Sequence, residues 1–503
     1  MSKIKIGWAE ESIVPEKNVS LAGQFFERIS QYVESEITVT AMAVEADGDS
    51  MIMVSADVIS VVDSSMELIR EKFAALTNEV NPNKIIVNAT HTHTSLKLGE
   101  TAIKKSKNSM SSDVNSASIL EEFLPEGKKY IPLVEADERL ITPEEATEFV
   151  AEKVAIAAKR AWDNRQESCY ANEFGRASVG MCRRVTYDDG SGQMWGDVNT
   201  ANFVALEGGN DSGIELIYTF DMNRKLTGIV ANIVCPAQIL EQRSFISADF
   251  WGRAKAYIRE KLGNDVCLLT LCGAAGDQCP RDLVRWVEPE SPIDDPNVKR
   301  LNPLERKADP SMYDISGCNK VGKRIANEII SVYEDITEYK TEAEFQHKVL
   351  NIELPLRKAT IEEYNNAVKE LKHYIEQNKD KEIDFEAKAR MHVYTGTIGR
   401  FREQQTKELV SIESHIVRFG DVAFSTNPFE LFLDYGNYIK ARSYAKQTFI
   451  VQLCCGCAGY LPTEKAEKAG HYSAYISSGL VGHAGGDLFV RKTVEEINKM
   501  FDI

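Results

Sequence analysis

The sequence predicts a mixed α and β fold (α/β), with hairpin-rich mixed sheets flanked by helices. Three observations carry that prediction. Apolar residues alternate in paired segments joined by turns containing Gly or Asp, which is the pattern of β-hairpins. Stretches with apolar residues at helical spacing lie between those pairs. The two kinds of segment do not follow each other regularly, which argues against a repeated βαβ alternation. The 503 residues, 43% of them hydrophobic, can bury a large core as one big domain or two to three smaller ones.

Taken in order, residues 36–58 alternate around Ala46-Asp47-Gly48-Asp49 and form the first expected hairpin. A helix is expected over 66–76, and the apolar run Ile85-Ile86-Val87-Asn88-Ala89 reads as a buried strand. Further helices are expected over 143–163 and 249–262. A second hairpin covers 214–234 with its turn near Met222-Asn223-Arg224-Lys225, and a strand over 266–272 ends in a Gly-rich turn. A third hairpin covers 414–425 around Phe419-Gly420-Asp421, followed by a strand from Thr448. Two segments read as additions. Residues 104–138 are polar, rich in Ser, Lys and Glu, and are expected to form a long loop or lid. Residues 360–409 combine Glu and Lys with apolar residues at helical spacing, which predicts a surface helical hairpin with a solvated charged face. No internal repeat or low-complexity tract is visible.

Charge narrows the range of partners. A formal net charge of −17 and a pI near 5.2 argue against nucleic acid or an anionic membrane surface, because phosphate contacts need clustered Lys and Arg. A small-molecule substrate is the expectation. The segment Met1-Ser2-Lys3-Ile4-Lys5-Ile6-Gly7 lacks an apolar leader core, and no run of about 18 apolar residues follows. No transmembrane segment and a cytoplasmic location are therefore expected. The ten cysteines do not follow the spacing of a secreted disulfide scaffold. Reduced thiols are expected, with Cys454, Cys455 and Cys457 taken as core packing.

The chemistry gathers at strand ends. Thr90-His91-Thr92-His93 leaves the strand ending at Ala89 and holds two of only eight histidines. It places two imidazoles in one small volume, which suits a metal ion or a catalytic pair. A hydrogen-bonded polar pair at a sheet edge is the alternative. Polar clusters also follow the other strands: Cys235-Pro236-Ala237-Gln238, Gly276-Asp277-Gln278-Cys279-Pro280-Arg281, Asn427-Pro428-Phe429-Glu430 and Ala458-Gly459-Tyr460-Leu461-Pro462-Thr463. Rigid strands that converge can present such loops to one pocket, which is the economical arrangement.

Thr90-His91-Thr92-His93, the turn Gly276-Asp277-x-x-Pro280, and Tyr460 followed twelve residues later by Tyr472 together resemble the neutral (non-lysosomal) ceramidases. These are zinc amidohydrolases that cleave the N-acyl bond of ceramide. The resemblance runs from about Ile6 to Asp487 and implies a single ceramidase-like catalytic domain over 1–503. It implies Zn2+ with His91, Glu430 and Tyr460 as ligands, His93 as a nearby acid, base or oxyanion partner, Tyr472 facing the substrate, and Arg183 in the pocket. The alternative for Arg183 or Arg184 is a surface charge, and for Asp277 a turn-forming role rather than proton transfer.

Two residues depart from the family pattern. Cys235 stands where the family has its second zinc histidine. A thiolate also binds zinc but makes the metal a weaker Lewis acid. A buried free thiol is the alternative. Cys279 replaces the family's serine and reads either as a partly ionised nucleophile beside a cation or as a small buried residue. The chain stops about thirty residues after Tyr472, so the separate C-terminal β-domain of the family is expected to be missing. That shifts the expected substrate from ceramide to a small soluble amide, lactone or ester. Metal-dependent hydrolysis leads, with two rivals: a hydrolase using Cys279 as nucleophile, His93 as base and an incidental metal, and a non-catalytic relative that binds a metal or metabolite.

Overall fold

A helix follows each of the three expected hairpins and carries the chain to a third strand that runs parallel to its neighbour. The computed structural model describes residues 2–99, 112–129, 139–284 and 314–501. In the main sheet strand Lys5–Ser12 (β1) comes first in sequence, then the hairpin of Thr38–Ala46 (β2) and Asp49–Ala56 (β3). Asp47 and Gly48 join these strands with φ of 49° and 75°, the positive values a two-residue hairpin turn requires. Helix Asp63–Leu76 (α1) then leads to Ile85–Ala89 (β4), parallel to β3.

Ser112–Phe123 (α2) and Pro143–Asp163 (α3) precede Gln166–Arg176 (β5). The second unit repeats the first, with Gly213–Asp221 (β6) and Leu226–Ile233 (β7) as hairpin, Asp249–Leu262 (α4) as crossover, and Cys267–Cys272 (β8) parallel to β7. The main sheet has the order β8-β7-β6-β5-β1-β2-β3-β4, so each unit supplies one parallel edge pair. After Asp314–Glu334 (α5) comes Phe345–Pro355 (β9). The helical hairpin follows as Ile361–Gln377 (α6) and Phe385–Glu403 (α7). The third unit then closes a four-stranded sheet, β9-β10-β11-β12: Leu409–Phe419 (β10), Val422–Thr426 (β11), Leu433–Arg442 (α8) and Gln447–Val451 (β12). Glu464–Ala469 (α9) and His483–Met500 (α10) complete the described chain.

The two sheets stack on each other. Phe345, Phe419, Phe424 and Phe449 of the smaller sheet join the core that β2 to β4 build with α1 and α3. Asn88 of β4 and Asn232 of β7 donate across to the carbonyls of Gln452 and Ile450, at 2.6 and 3.1 Å, so these buried amide N–H groups find partners and tie the layers in register. Outer cores form between α4, α5 and the second unit, and between α8, α10 and the third. No helix among the described residues is long and apolar enough to cross a membrane, and none of the ten cysteines forms a disulfide.

The segment expected as a loop or lid differs in its described part. Residues 104–111 and 130–138 lie outside the described residues, but Ser112–Phe123 is helical. The cause is tertiary: Ile119 and Leu120 are buried against Leu371, Met391 and Ile398 of the helical hairpin, a contact the polar composition conceals. The hairpin itself forms as expected, and α6 starts at a Thr360–Glu363 capping box.

Candidate active site

Equivalent ends of the three units meet at one place. Asp57, Cys235 and Glu430 follow the second hairpin strand of each unit. His91, Asp277 with Cys279, and Tyr460 follow the parallel strand. His91 leaves β4 with φ of 62°, a left-handed conformation that costs an ordinary residue energy and tends to survive where surrounding structure enforces it. Here the backbone N–H of His91 is tied to Val58 O at 3.1 Å, and its ring Nδ1 lies 2.7 Å from Ile59 O. A carbonyl only accepts, so Nδ1 carries a proton, and in the neutral ring Nε2 presents a lone pair. That nitrogen lies 3.5 Å from Glu430 Oε2.

Glu430 and Tyr460 are cross-strand partners in a short parallel pair, with the Glu430 carboxylate facing His91 and the Tyr460 hydroxyl facing Arg183. Gly276 lets that pair approach, because a Cβ there would stand 2.3 Å from Glu430 O. Two further segments deliver Arg183: Gln278 and Cys279 pair with Cys182 and Met181, and the N–H of Arg183 donates to Asp277 O at 2.9 Å. The buried guanidinium donates to Gly276 O at 2.9 Å, to Tyr460 Oη at 3.3 Å and to Gln238 Oε1 at 3.4 Å, and lies 3.8 Å from Glu430 Oε2. All five polar clusters of the sequence thus contribute to one pocket. Burial opposes the charge of Arg183, but Tyr460 and Glu430 outweigh it and hold the guanidinium more firmly protonated than usual. Burial pushes the Tyr460 phenol well above its ordinary range, and Glu430 adds to that.

His93 stands beside His91, with ring centroids 5.0 Å apart. Its Nδ1 lies 3.3 Å from Glu241 Oε2, and both ring nitrogens are buried without a well-formed hydrogen bond among the described residues. Burial lowers the His93 pKa to about 4, with the Glu241 interaction opposing. Glu241 Oε1 accepts from Arg281 at 2.7 Å; although burial opposes it, Arg281 and His93 hold the Glu241 carboxyl below its usual range. Gly23 is needed here because a Cβ would meet the His93 ring at 2.6 Å.

Tyr472 packs edge-on against Tyr460, centroids 5.5 Å apart, and against Phe25 at 5.6 Å. Phe25 in turn stacks on His392 of α7 at 4.9 Å, so the helical hairpin reaches the aromatic wall. Arg184 is no surface charge. It is fully buried, pairs with both oxygens of Glu207 at 2.8 and 3.0 Å, and donates to Tyr472 O at 2.9 Å. Glu241, Phe25 and His392 are the site residues that the sequence reading missed. No motif marks any of them, although Glu241 lies only six residues beyond Cys235.

Three candidates have surroundings that bear on their chemistry. Cys235 is buried, its thiol pushed well above the ordinary value chiefly by burial. Among the described residues the only trio of His, Cys, Asp or Glu with all donor atoms within 4.8 Å of one another is Glu413, His415 and Cys455. Cys235 therefore does not join His91 and Glu430 in such a group. Of the two readings of Cys279, its surroundings favour the small buried residue: burial outweighs Arg183 and Arg281 and pushes the thiol up to about 12, while its sulfur donates to Arg281 O at 3.2 Å. Asp277 accepts from Leu433 N–H at the start of α8 at 2.9 Å, and burial raises its pKa to about 6.

A zinc ion fits part of this donor set. His91 Nε2, an acceptor in the neutral ring, faces Glu430 Oε2 at 3.5 Å, with the imidazole oriented from behind by Ile59 O, as metal-binding histidines commonly are. The Tyr460 hydroxyl, 3.3 Å from the same Arg183 nitrogen that lies 3.8 Å from Glu430 Oε2, is the next oxygen in the cluster.

The fold is that of the neutral ceramidase structures. A crystal structure of neutral ceramidase from Pseudomonas aeruginosa superposes with a TM-score of 0.65 at 14% identity, covering 99% of this chain and 75% of that one. A ceramidase complexed with C2 matches with a TM-score of 0.65 at 13% identity, covering 99% and 76%. No protein-family model and no curated protein matches the sequence.

Proposed function

We propose that the chain is a metal-dependent hydrolase that attacks the carbonyl carbon of a small soluble amide, lactone or ester. The observation carrying this reading is the approach of the His91 Nε2 lone pair to the Glu430 carboxylate at 3.5 Å, beside the Arg183 guanidinium and the Tyr460 hydroxyl. His91, Glu430 and Tyr460 would hold a zinc ion, whose chemistry there would be Lewis acidity toward a carbonyl oxygen and acidification of water. Arg183 stabilises negative charge developing on the substrate oxygen, an effect enlarged by its burial. His93, with its Nδ1 side turned to Glu241 at 3.3 Å, would use Nε2 to take the proton from water and return it to the leaving group. Tyr472, Phe25 and His392 line the approach with aromatic surface and exclude water.

The likeness to ceramidase structures supports a hydrolase acting on an amide bond. The acidic surface and the aromatic wall favour a small soluble substrate over a lipid in an anionic bilayer. A Cys279 nucleophile is disfavoured by the burial that keeps its thiol protonated. The test is metal analysis of purified protein with a panel of amides, esters and lactones. Turnover that falls with a chelator and returns with zinc is expected. Full turnover in metal-free protein sinks the reading.

A further inference from the structure

A second constellation lies outside the candidate active site, at a cavity of about 280 Å3 lined by Asp63, Arg70, Glu413, Cys455 and Cys457. Glu413 and His415 are two apart on β10 and so share a face; His415 Nε2 lies 2.8 Å from Glu413 Oε1. On its other side His415 Nδ1 lies 2.8 Å from His347 Nε2 of β9. His347 Nδ1 lies 3.0 Å from the Ser50 carbonyl oxygen.

Counting protons along this row exposes a deficit. The Ser50 carbonyl only accepts, so His347 carries its proton on Nδ1 and offers a lone pair at Nε2. His415 must then donate from Nδ1, and in its neutral form it aims a lone pair from Nε2 at a carboxylate. Three contacts between two acceptor groups require three protons, whereas two neutral imidazoles bring two. A cation has to complete the row.

Cys455 supplies the missing part. Its sulfur, with the donors of Glu413 and His415, forms the trio within 4.8 Å, and it accepts the Val87 N–H at 3.5 Å. We propose that Glu413, His415 and Cys455 form a binding site for a thiophilic divalent cation of the zinc type. Thiolate, imidazole and carboxylate are the donors such an ion takes. The His347 and Ser50 row is the outer support that fixes the ligand tautomer. Arg70 pairs with both oxygens of Glu413, at 2.6 and 2.9 Å, and neutralises that carboxylate. A divalent ion that displaces the thiol proton therefore leaves one net positive charge, the same as an imidazolium would, but shared over three ligands.

Cobalt(II) titrated into the full, chelator-treated chain is the probe, because a cobalt–thiolate bond absorbs in the near ultraviolet and nitrogen or oxygen ligands alone do not. A band saturating at one equivalent is expected, lost in Cys455→Ser but kept in His91→Ala and Cys235→Ser. His347→Gln leaves the ligands in place and is expected to weaken cobalt binding about tenfold or more with the band retained, which covers the case in which Cys455→Ser does not fold. No band in the native sequence, a band removed by Cys235→Ser and untouched by Cys455→Ser, or an unchanged affinity in His347→Gln overturns the proposal. None of these readouts depends on hydrolysis, so the outcome is separate from that of the hydrolase reading.

Discussion

The first and second hairpin–helix–strand units bring their chain ends to the same pocket with contrasting chemistry. The first delivers imidazoles: His91 is held in a left-handed turn with its Nε2 facing Glu430, and His93 is braced by Glu241. The second delivers thiols, Cys235 and Cys279, each buried and donating to a nearby carbonyl, Pro236 O at 3.5 Å and Arg281 O at 3.2 Å. Topology sets where a strand end lies. Whether it does chemistry depends on whether its polar atoms are aimed at the pocket or already satisfied within their own turn.

The sharpest way to break the comparison is at its imidazole end. His91→Ala and Glu430→Gln are each expected to lower turnover at least about a hundredfold while leaving the fold intact, as read by steady-state rates and near-ultraviolet circular dichroism. Retained turnover in His91→Ala would make the two units equals. Next in size is the anchor that fixes Tyr472 over the pocket. Arg184→Met leaves Glu207 buried without its partner and is expected to cost about 3–5 kcal/mol in denaturant unfolding, with KM rising as the Tyr472 segment loosens.

The acid side of the stability profile separates the units further. Native His93 is held down to about 4, chiefly by burial, against 6.5 for the free side chain. Between those values the unfolded chain binds a proton that the native state does not. This contribution to stability is therefore full above about pH 6.5, falls as pH drops through the window, and is fully lost below about 4. His93→Asn removes it, so the stability gap between wild type and variant should narrow on acidification, by at most about 1.4 kcal/mol per pH unit. A gap that stays constant from pH 7 to pH 4 means that His93 titrates as an exposed histidine.

Much of the fold was legible because alternation and helical spacing are local signals. All three hairpins and the helices over 143–163 and 249–262 form where the periodicity puts them. The threefold recurrence of hairpin, helix and parallel strand was not legible, since topology can repeat without similar residues. Helix α2 was hidden for a related reason: Ile119 and Leu120 are too few to give a period, and their burial depends on a hairpin some 250 residues away in sequence. At the site, His91, Arg183, Glu430 and Tyr460 lie together; His91 stood out by its own spacing, and the resemblance to the ceramidases singled out the other three. Glu241 and Phe25 could not be found in this way, because their roles come from contacts to His93 and Tyr472 and from no spacing of their own.

The smallest expected effect is at the thiol end. In Cys279→Ser the hydroxyl can take over both local bonds of the sulfur, donating to Arg281 O and accepting the Arg281 N–H now 3.4 Å away. A buried polar group with its partners in place costs little, so a stability change within about 1 kcal/mol is expected. Turnover should stay within about threefold, because a thiol pushed up to about 12 contributes almost no thiolate at neutral pH and is no nucleophile to lose. Cys235→Ser should likewise leave active-site metal content unchanged if that sulfur packs without binding the ion. A large loss in Cys279→Ser, with alkylation-sensitive and chelator-resistant turnover in the native sequence, would move the chemistry to the second unit and leave the imidazoles of the first as support.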